Sequence, residues 1–246
     1  MKNGGRWVCL LCVCLAACSG EEAGSGELSA ADQAKATTLF DSYDSARNGK
    51  NWEVAESYAD KLREQFPDSD AAAKLTTSLE QVRAQAEQVR ESRRLAELWD
   101  YQSVAVGNGV QRSAAIYNLT VLAEEGQPMP TPDAQLVLRD HPSWGRSAYL
   151  LLAQSRFSCG TPCAMQIRFD EGQARRFAGK QADSGKGPAM FIEDEQGFID
   201  AMSKADKVRI DLPKGSGRIP ALVFEVAGYD PGRFEKPWPL AKPAAF

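Results

Sequence analysis

Residues 164–179 read "AMQIRFDEGQARRFAG". Met165, Ile167 and Phe169 alternate with Gln166 and Arg168, then Asp170-Glu171-Gly172 supplies turn chemistry, and a second short run ends in Arg176-Phe177. A period of two places the apolar residues on one face and the polar ones on the other. One buried and one wet face is the mark of an antiparallel sheet. The same alternation recurs at Val208, Ile210 and Leu212 against Lys207, Arg209 and Asp211.

Working outward, the chain after Trp99 breaks into runs of this kind: "YQSVAVG", "SAAIYNLTVL", "AQLVLRD", "SAYLLLAQSRF", "AMQIRF", "ARRFAG", "AMFIE", "KVRIDL" and "ALVFEVAGY". Gly107-Asn108-Gly109, "GQPMPTP" and Gly215-Ser216-Gly217 separate them as turns. Asp194 can cap a short helix over 195–205, with Phe198, Ile199 and Met202 on one side. The expectation over 99–235 is an antiparallel, β-sandwich-like domain with one short helix. The tail "FEKPWPLAKPAAF" carries three prolines and predicts an extended segment, set apart from residue 236 onward.

Residues 31–98 carry a helical period instead. Leu39, Phe40, Tyr43 and Ala46 suit one helix, stopped at Asn48-Gly49. Val54, Ala55, Tyr58, Ala59 and Leu62 suit a second, from Trp52 to Phe66, closed by Pro67. A third is predicted over 71–98, where Leu75, Leu79, Val82, Ala86 and Val89 form an a/d seam. That seam either packs on the hairpin or pairs with a partner helix. The fold class is therefore α+β, a three-helix unit followed by the antiparallel domain. The first two helices resemble one tetratricopeptide hairpin, since Ala55 and Pro67 fall at its small-packing and terminal-proline positions.

The amino-terminal end predicts an address. Lys2 and Arg6 precede an apolar run, Trp7–Ala17, and small residues end it, which describes a secretory signal over 1–17. Eleven residues rise about 16 Å as a helix, too short to span a bilayer. The ending "LAAC" resembles the lipobox of bacterial lipoproteins. That resemblance implies cleavage after Ala17 and acylation of Cys18, and Ser19 in the next position implies transfer to the outer membrane, facing the periplasm. Residues 18–30, rich in Gly, Ser and Glu, read as a flexible tether.

Cysteine use follows. Cys9, Cys12 and Cys14 leave with the signal and Cys18 takes lipid, so Cys159 and Cys163 remain, in "SCGTPC". An oxidising compartment favours a disulfide between them, worth roughly 2 kcal/mol for so short a loop. A redox pair or half a zinc site are the alternatives. The first usually has C-x-x-C beside a helix, and the second needs more N/S ligands than a chain whose one histidine is His141 offers.

Without Lys2 and Arg6 the 29 basic residues fall to 27 against 33 acidic ones, a formal charge of −6. No basic field for nucleic acid is present. His141, in "RDHPSWG", is the one candidate for a Ser-His-Asp site and reads better as a turn residue. No nucleophile elbow, phosphate loop or zinc-protease motif occurs, and "FDEGQ" and "IEDEQ" suit a hairpin turn and a helix cap. No catalytic, metal or cofactor residue is assigned, and the chain reads as a non-enzyme with no cofactor. Asn118 heads an "NLT" sequon that a bacterial protein would normally ignore. Arg168, Arg176 and Arg209, with Arg175 and Lys207, can form a basic stripe on the wet sheet face for an anionic ligand, or a solvated face balanced by Asp211 and Glu225.

The run from Leu136 through Gly172, with its cysteine pair before an alternating strand and the later "FEVAGY", resembles a domain of proteobacterial lipoproteins. It also resembles the cysteine-paired β-domains of type VI secretion accessory proteins. The function expected is an outer-membrane-anchored lipoprotein that binds or scaffolds an envelope protein. The alternative is a peptidoglycan or glycan binder or hydrolase using the polar sheet face.

Overall fold

A computed structural model describes residues 28–119, 134–153, 157, 163–181, 188–211 and 221–235. The signal, Cys18, most of the tether, Cys159 and the tail from residue 236 lie outside the described residues. The chain divides into two compact units, meeting at Arg83 and Ala84, inside a helix.

In the first unit α1 (Ala30–Asn48) starts at Ser29, whose side chain accepts the Asp32 amide, and packs on α2 (Trp52–Gln65). The small faces of Ala36, Ala46, Ala55 and Ala59 let the two helices approach around Tyr43 and Leu62, all buried. The helix stops at Asn48-Gly49 as expected, but the left-handed position falls one residue later. Gly49 has φ −76°, and the left-handed residue is Lys50, at φ 58°. Asn51 N–H donates to Ala46 O (2.8 Å) and Lys50 N–H to Arg47 O (3.0 Å), the paired bonds of a Schellman end.

The third helix is also not continuous as expected. A short α3 (Asp70–Lys74), capped by Ser69, runs into a 3-10 turn (Leu75–Thr77) before α4 (Leu79–Glu97) begins. The reason is local chemistry. Thr76 and Thr77 are β-branched and turn their hydroxyls back to Ala73 O and Lys74 O, and Ser78 bonds to Tyr43. Leu75, Leu79 and Val82 of the seam join the helical core, and Ala86 is also buried. Val89 is 40% exposed.

The second unit holds nine strands among the described residues, in the order β1-β2-β3-β4-β7-β6-β5-β8-β9. They are β1 (Asp100–Val106), β2 (Gly109–Tyr117), β3 (Ala134–His141), β4 (Gly145–Leu152), β5 (Cys163–Phe169), β6 (Arg175–Gln181), β7 (Ala189–Ile192), β8 (Lys207–Asp211) and β9 (Ala221–Glu225). Every pairing is antiparallel. The expected α+β class holds. The sandwich-like core is enclosed by one hydrogen-bonded sheet doubled on itself, and not by two separate sheets. Leu119, just past β2, donates its amide to Val223 of β9 at 2.7 Å. Inward residues from β2 through β9 share one apolar core, among them Ile116, Leu138, Leu150, Met165, Phe177, Met190, Ile210 and Phe224.

A short helix α5 (Glu195–Met202) starts at Asp194, whose side chain accepts the Gly197 amide as expected. It drives Phe198 and Met202 into the core, where Phe198 meets Phe169 and Phe177. A four-residue helix α6 (Gly232–Glu235) comes before the segment set apart as extended, which from residue 236 lies outside the described residues.

Candidate functional site

The outward face of the sheet carries two chemically different regions. On β6, β5 and β8 the register sets Arg176 opposite Gln166 and Arg168 opposite Arg209. All three arginines named from the sequence therefore share one exposed region. Arg209 Nε donates to Asp211 Oδ1 at 3.0 Å, whereas Arg168 and Arg176 make no hydrogen bond or ion pair among the described residues. Asp211 balances Arg209 as expected, and Glu225 instead pairs with Arg94 at 3.0 Å. Arg175 does not belong to this face. It lies one position out of phase and covers the rings of Phe169 and Phe177, at 5.5 and 5.2 Å.

Asp170 closes the β5–β6 turn in a left-handed conformation, φ 48°, and its Oδ1 accepts the amides of Asp206 and Lys207 (2.9 and 2.8 Å). This carboxylate ties the hairpin to the start of β8, so "FDEGQ" is structural at Asp170. An open depression of about 490 Å³ lies here, bordered by Arg168, Asp170, Lys207 and Arg209.

The second region centres on β3, β4 and β7 and was not foreseen. Arg139 sits among three rings, its guanidinium 5.3 Å from Trp144, 5.4 Å from Tyr149 and 6.0 Å from Phe191. Tyr149 and Phe191 are direct cross-strand partners with rings 5.1 Å apart. Burial pushes the Tyr149 phenol above its ordinary pKa, with Arg139 opposing. Trp144, at the β3–β4 hairpin tip, is 70% exposed yet stacked flat on His141, centroids 3.9 Å apart at 12°. Such an indole is held in place while most of its surface stays open to solvent. The signal was available in "HPSWG", because a tryptophan between a proline and a turn glycine has no route into the core.

His141 itself is buried at the end of β3, one residue before the turn, and its Nδ1 accepts the Ser143 amide at 3.1 Å, which holds the ring beneath Trp144. Asn118 is also buried. Its Oδ1 accepts the Ala134 amide (2.8 Å) and its Nδ2 donates to Leu119 O (3.0 Å), continuing the β2–β3 pairing where the ladder ends. Cys163 is buried and disulfide-bonded; its predicted partner, Cys159, lies outside the described residues. Among the described residues no group of three His, Cys, Asp or Glu side chains could hold a metal ion, and no helix is long and apolar enough to cross a membrane.

No protein-family model matches the chain, and neither a curated protein nor a solved structure is detectably similar to it.

Proposed function

We propose that the chain is a lipoprotein of the cell envelope, anchored in the outer membrane through lipid on Cys18 and facing the periplasm, that binds another protein through the outward face of its sheet. The single observation that carries the binding reading is Trp144, exposed and pre-stacked on His141, beside the Arg139–Tyr149–Phe191 cluster. Trp, Tyr and Arg are the residues that dominate protein-binding energetics. A rigid aromatic anchor loses little entropy on association. The lipobox-like "LAAC" supports the address, and the bond of Cys163 suits an oxidising compartment.

The test is a photocrosslinking residue placed at Ser143, beside Trp144, in living cells, with the same residue at exposed Arg63 as control. One protein captured from Ser143 and not from Arg63, and lost with Trp144→Ala, supports the reading. An exposed indole also suits a sugar ring, so the same chain is sedimented with purified peptidoglycan. Trp144-dependent cosedimentation without a protein crosslink moves the function to glycan binding.

A further inference from the structure

On the outward face, period two and the register set Ser113, Arg139 and Ser147 side by side across β2, β3 and β4. Tyr149 and Phe191 pair in the adjoining row, and Trp144 stands at the hairpin tip. The Arg139 guanidinium is thus half-buried among three rings. Ring faces attract its charge, but its five N–H donors lie in its own plane and are satisfied best by oxygen acceptors. Among the described residues Arg139 makes no hydrogen bond or ion pair, and its Nε is buried without a partner. Ser147 Oγ, on the residue directly opposite, is buried without a partner as well. Two adjacent polar groups therefore bear a desolvation cost that nothing in their surroundings offsets by hydrogen bonding.

The carboxylates at neighbouring positions do not fill that gap. Asp140 belongs to the inward row, where the register sets it between Arg112 and Arg146, and its Oδ2 lies 3.9 Å from Arg146 Nε. Asp200 borders a cleft that Arg139 also borders, but its Oδ1 accepts the Gln196 side-chain amide at 2.7 Å and forms no ion pair with Arg139. Glu193, just past β7, is exposed and its side chain has no partner among the described residues.

We propose that the protein segment docked on this face carries an Asp or Glu side chain that pairs with Arg139, next to an apolar side chain that packs on Trp144 and Phe191. This rests on the protein-binding reading of the Trp144 surface and names what that surface recognises. A carboxylate accepts two N–H bonds from one guanidinium and has a lone pair left for the Ser147 hydroxyl. Rings on three sides exclude water once the segment is seated, which strengthens those bonds. A neutral or basic segment covers the guanidinium without supplying an acceptor of opposite charge, and that penalty gives the surface its selectivity.

The test selects random displayed peptides on the purified full-length chain, in parallel with its Trp144→Ala and Arg139→Gln variants. Peptides that bind the wild-type chain and not Trp144→Ala are expected to be enriched in Asp or Glu beside an apolar residue, and the enrichment is expected to vanish on Arg139→Gln. Isothermal titration with one such synthetic peptide, and with its acid changed to Asn or Gln, is expected to show a loss of about tenfold or more. That second comparison leaves the protein unaltered, so a misfolded variant cannot imitate it. Trp144-dependent peptides without acidic enrichment, unchanged affinity of the amide peptide, or the same enrichment on folded Arg139→Gln overturns the proposal and leaves the protein-binding reading standing. No Trp144-dependent peptide, with or without binding of purified peptidoglycan, removes that reading and the proposal with it.

Discussion

Tyr43 and Ser78, on α1 and at the start of α4, share a buried hydrogen bond 2.6 Å long. It joins the one polar atom of the Tyr43 side chain to the residue that ends the 3-10 turn. The break in the third helix is thus fixed by a tertiary contact as well as by threonine chemistry. Ser78→Ala strands a phenolic hydroxyl with no partner and is expected to lower stability by about 1–3 kcal/mol. Tyr43→Phe strands the serine in the same way. Urea titration of the two single variants and the double variant measures the coupling, and the double variant is expected to lose less than the sum of the singles.

Lys50 occupies the left-handed position that closes α1. A side chain there clashes with its own backbone, at a cost of roughly 1 kcal/mol relative to glycine. Lys50→Gly is expected to raise the unfolding midpoint of the first unit, and Gly49→Ala to lower it, since a Cβ at Gly49 would come within 3.3 Å of Ser45 O. An unfolding midpoint left unchanged by Lys50→Gly would show that the turn is not strained.

Gly228 passes directly over the end of α4, so close that an added Cβ would overlap the carbonyl of Leu95 and the amide nitrogen of Ala96. Both are backbone atoms and cannot turn aside. Gly228→Ala is expected to lower stability by about 1–3 kcal/mol, as overpacking does, and to increase amide exchange at Ala96 and Leu98. Gly107→Ala at the β1–β2 turn is a separate case, because nothing lies within 4 Å and only its φ of 57° resists.

How much of this was legible follows from what each signal depends on. All nine strands showed themselves through alternation or turn residues, because a sheet with one wet face repeats its pattern in every strand. Their pairing order did not, since β7 reaching β4 is a matter of register over some forty residues. The arginines at 168, 176 and 209 were placed together correctly, as period two fixes their face. Arg175 was placed with them because adjacency in sequence hides the opposite facing of neighbours. The inward row of Arg112, Asp140 and Arg146 was invisible, because each strand alone shows one charge near its end, and only the register makes them a group.

Tyr149 and Tyr101 both have phenol pKa values raised by burial. A tyrosine whose folded pKa is raised keeps its proton at a pH where the unfolded chain has already lost its own. Stability from these groups is complete below the ordinary tyrosine pKa and falls as pH rises through the raised folded values. Urea midpoints should decline on the alkaline side of that ordinary value, and the decline should become shallower in Tyr149→Phe. Phenolate absorbance followed across the same range should lose part of its late amplitude in Tyr149→Phe and in Tyr101→Phe. A late amplitude unchanged in both variants would contradict the burial of the two phenols.

Arg168 and Arg209 face each other across β5 and β8 with like charge and no intervening acid in their row. Like charges directly opposite destabilise an antiparallel pair by roughly 0.2–1 kcal/mol. Arg209 has Asp211 to lean toward, and Arg168 has no such partner among the described residues. Removing the charge at 168 should therefore help folding, not harm it. Arg168→Gln is expected to raise the unfolding midpoint at low ionic strength, with the gain fading toward zero in high salt as the exposed charges are screened. The comparison that decides it is Arg209→Gln, which relieves the same repulsion but also leaves Asp211 without its 3.0 Å partner. A larger gain from Arg168→Gln than from Arg209→Gln, present only at low salt, is what the geometry requires. Equal gains, or gains that persist in salt, would mean that side-chain packing rather than charge governs this part of the face.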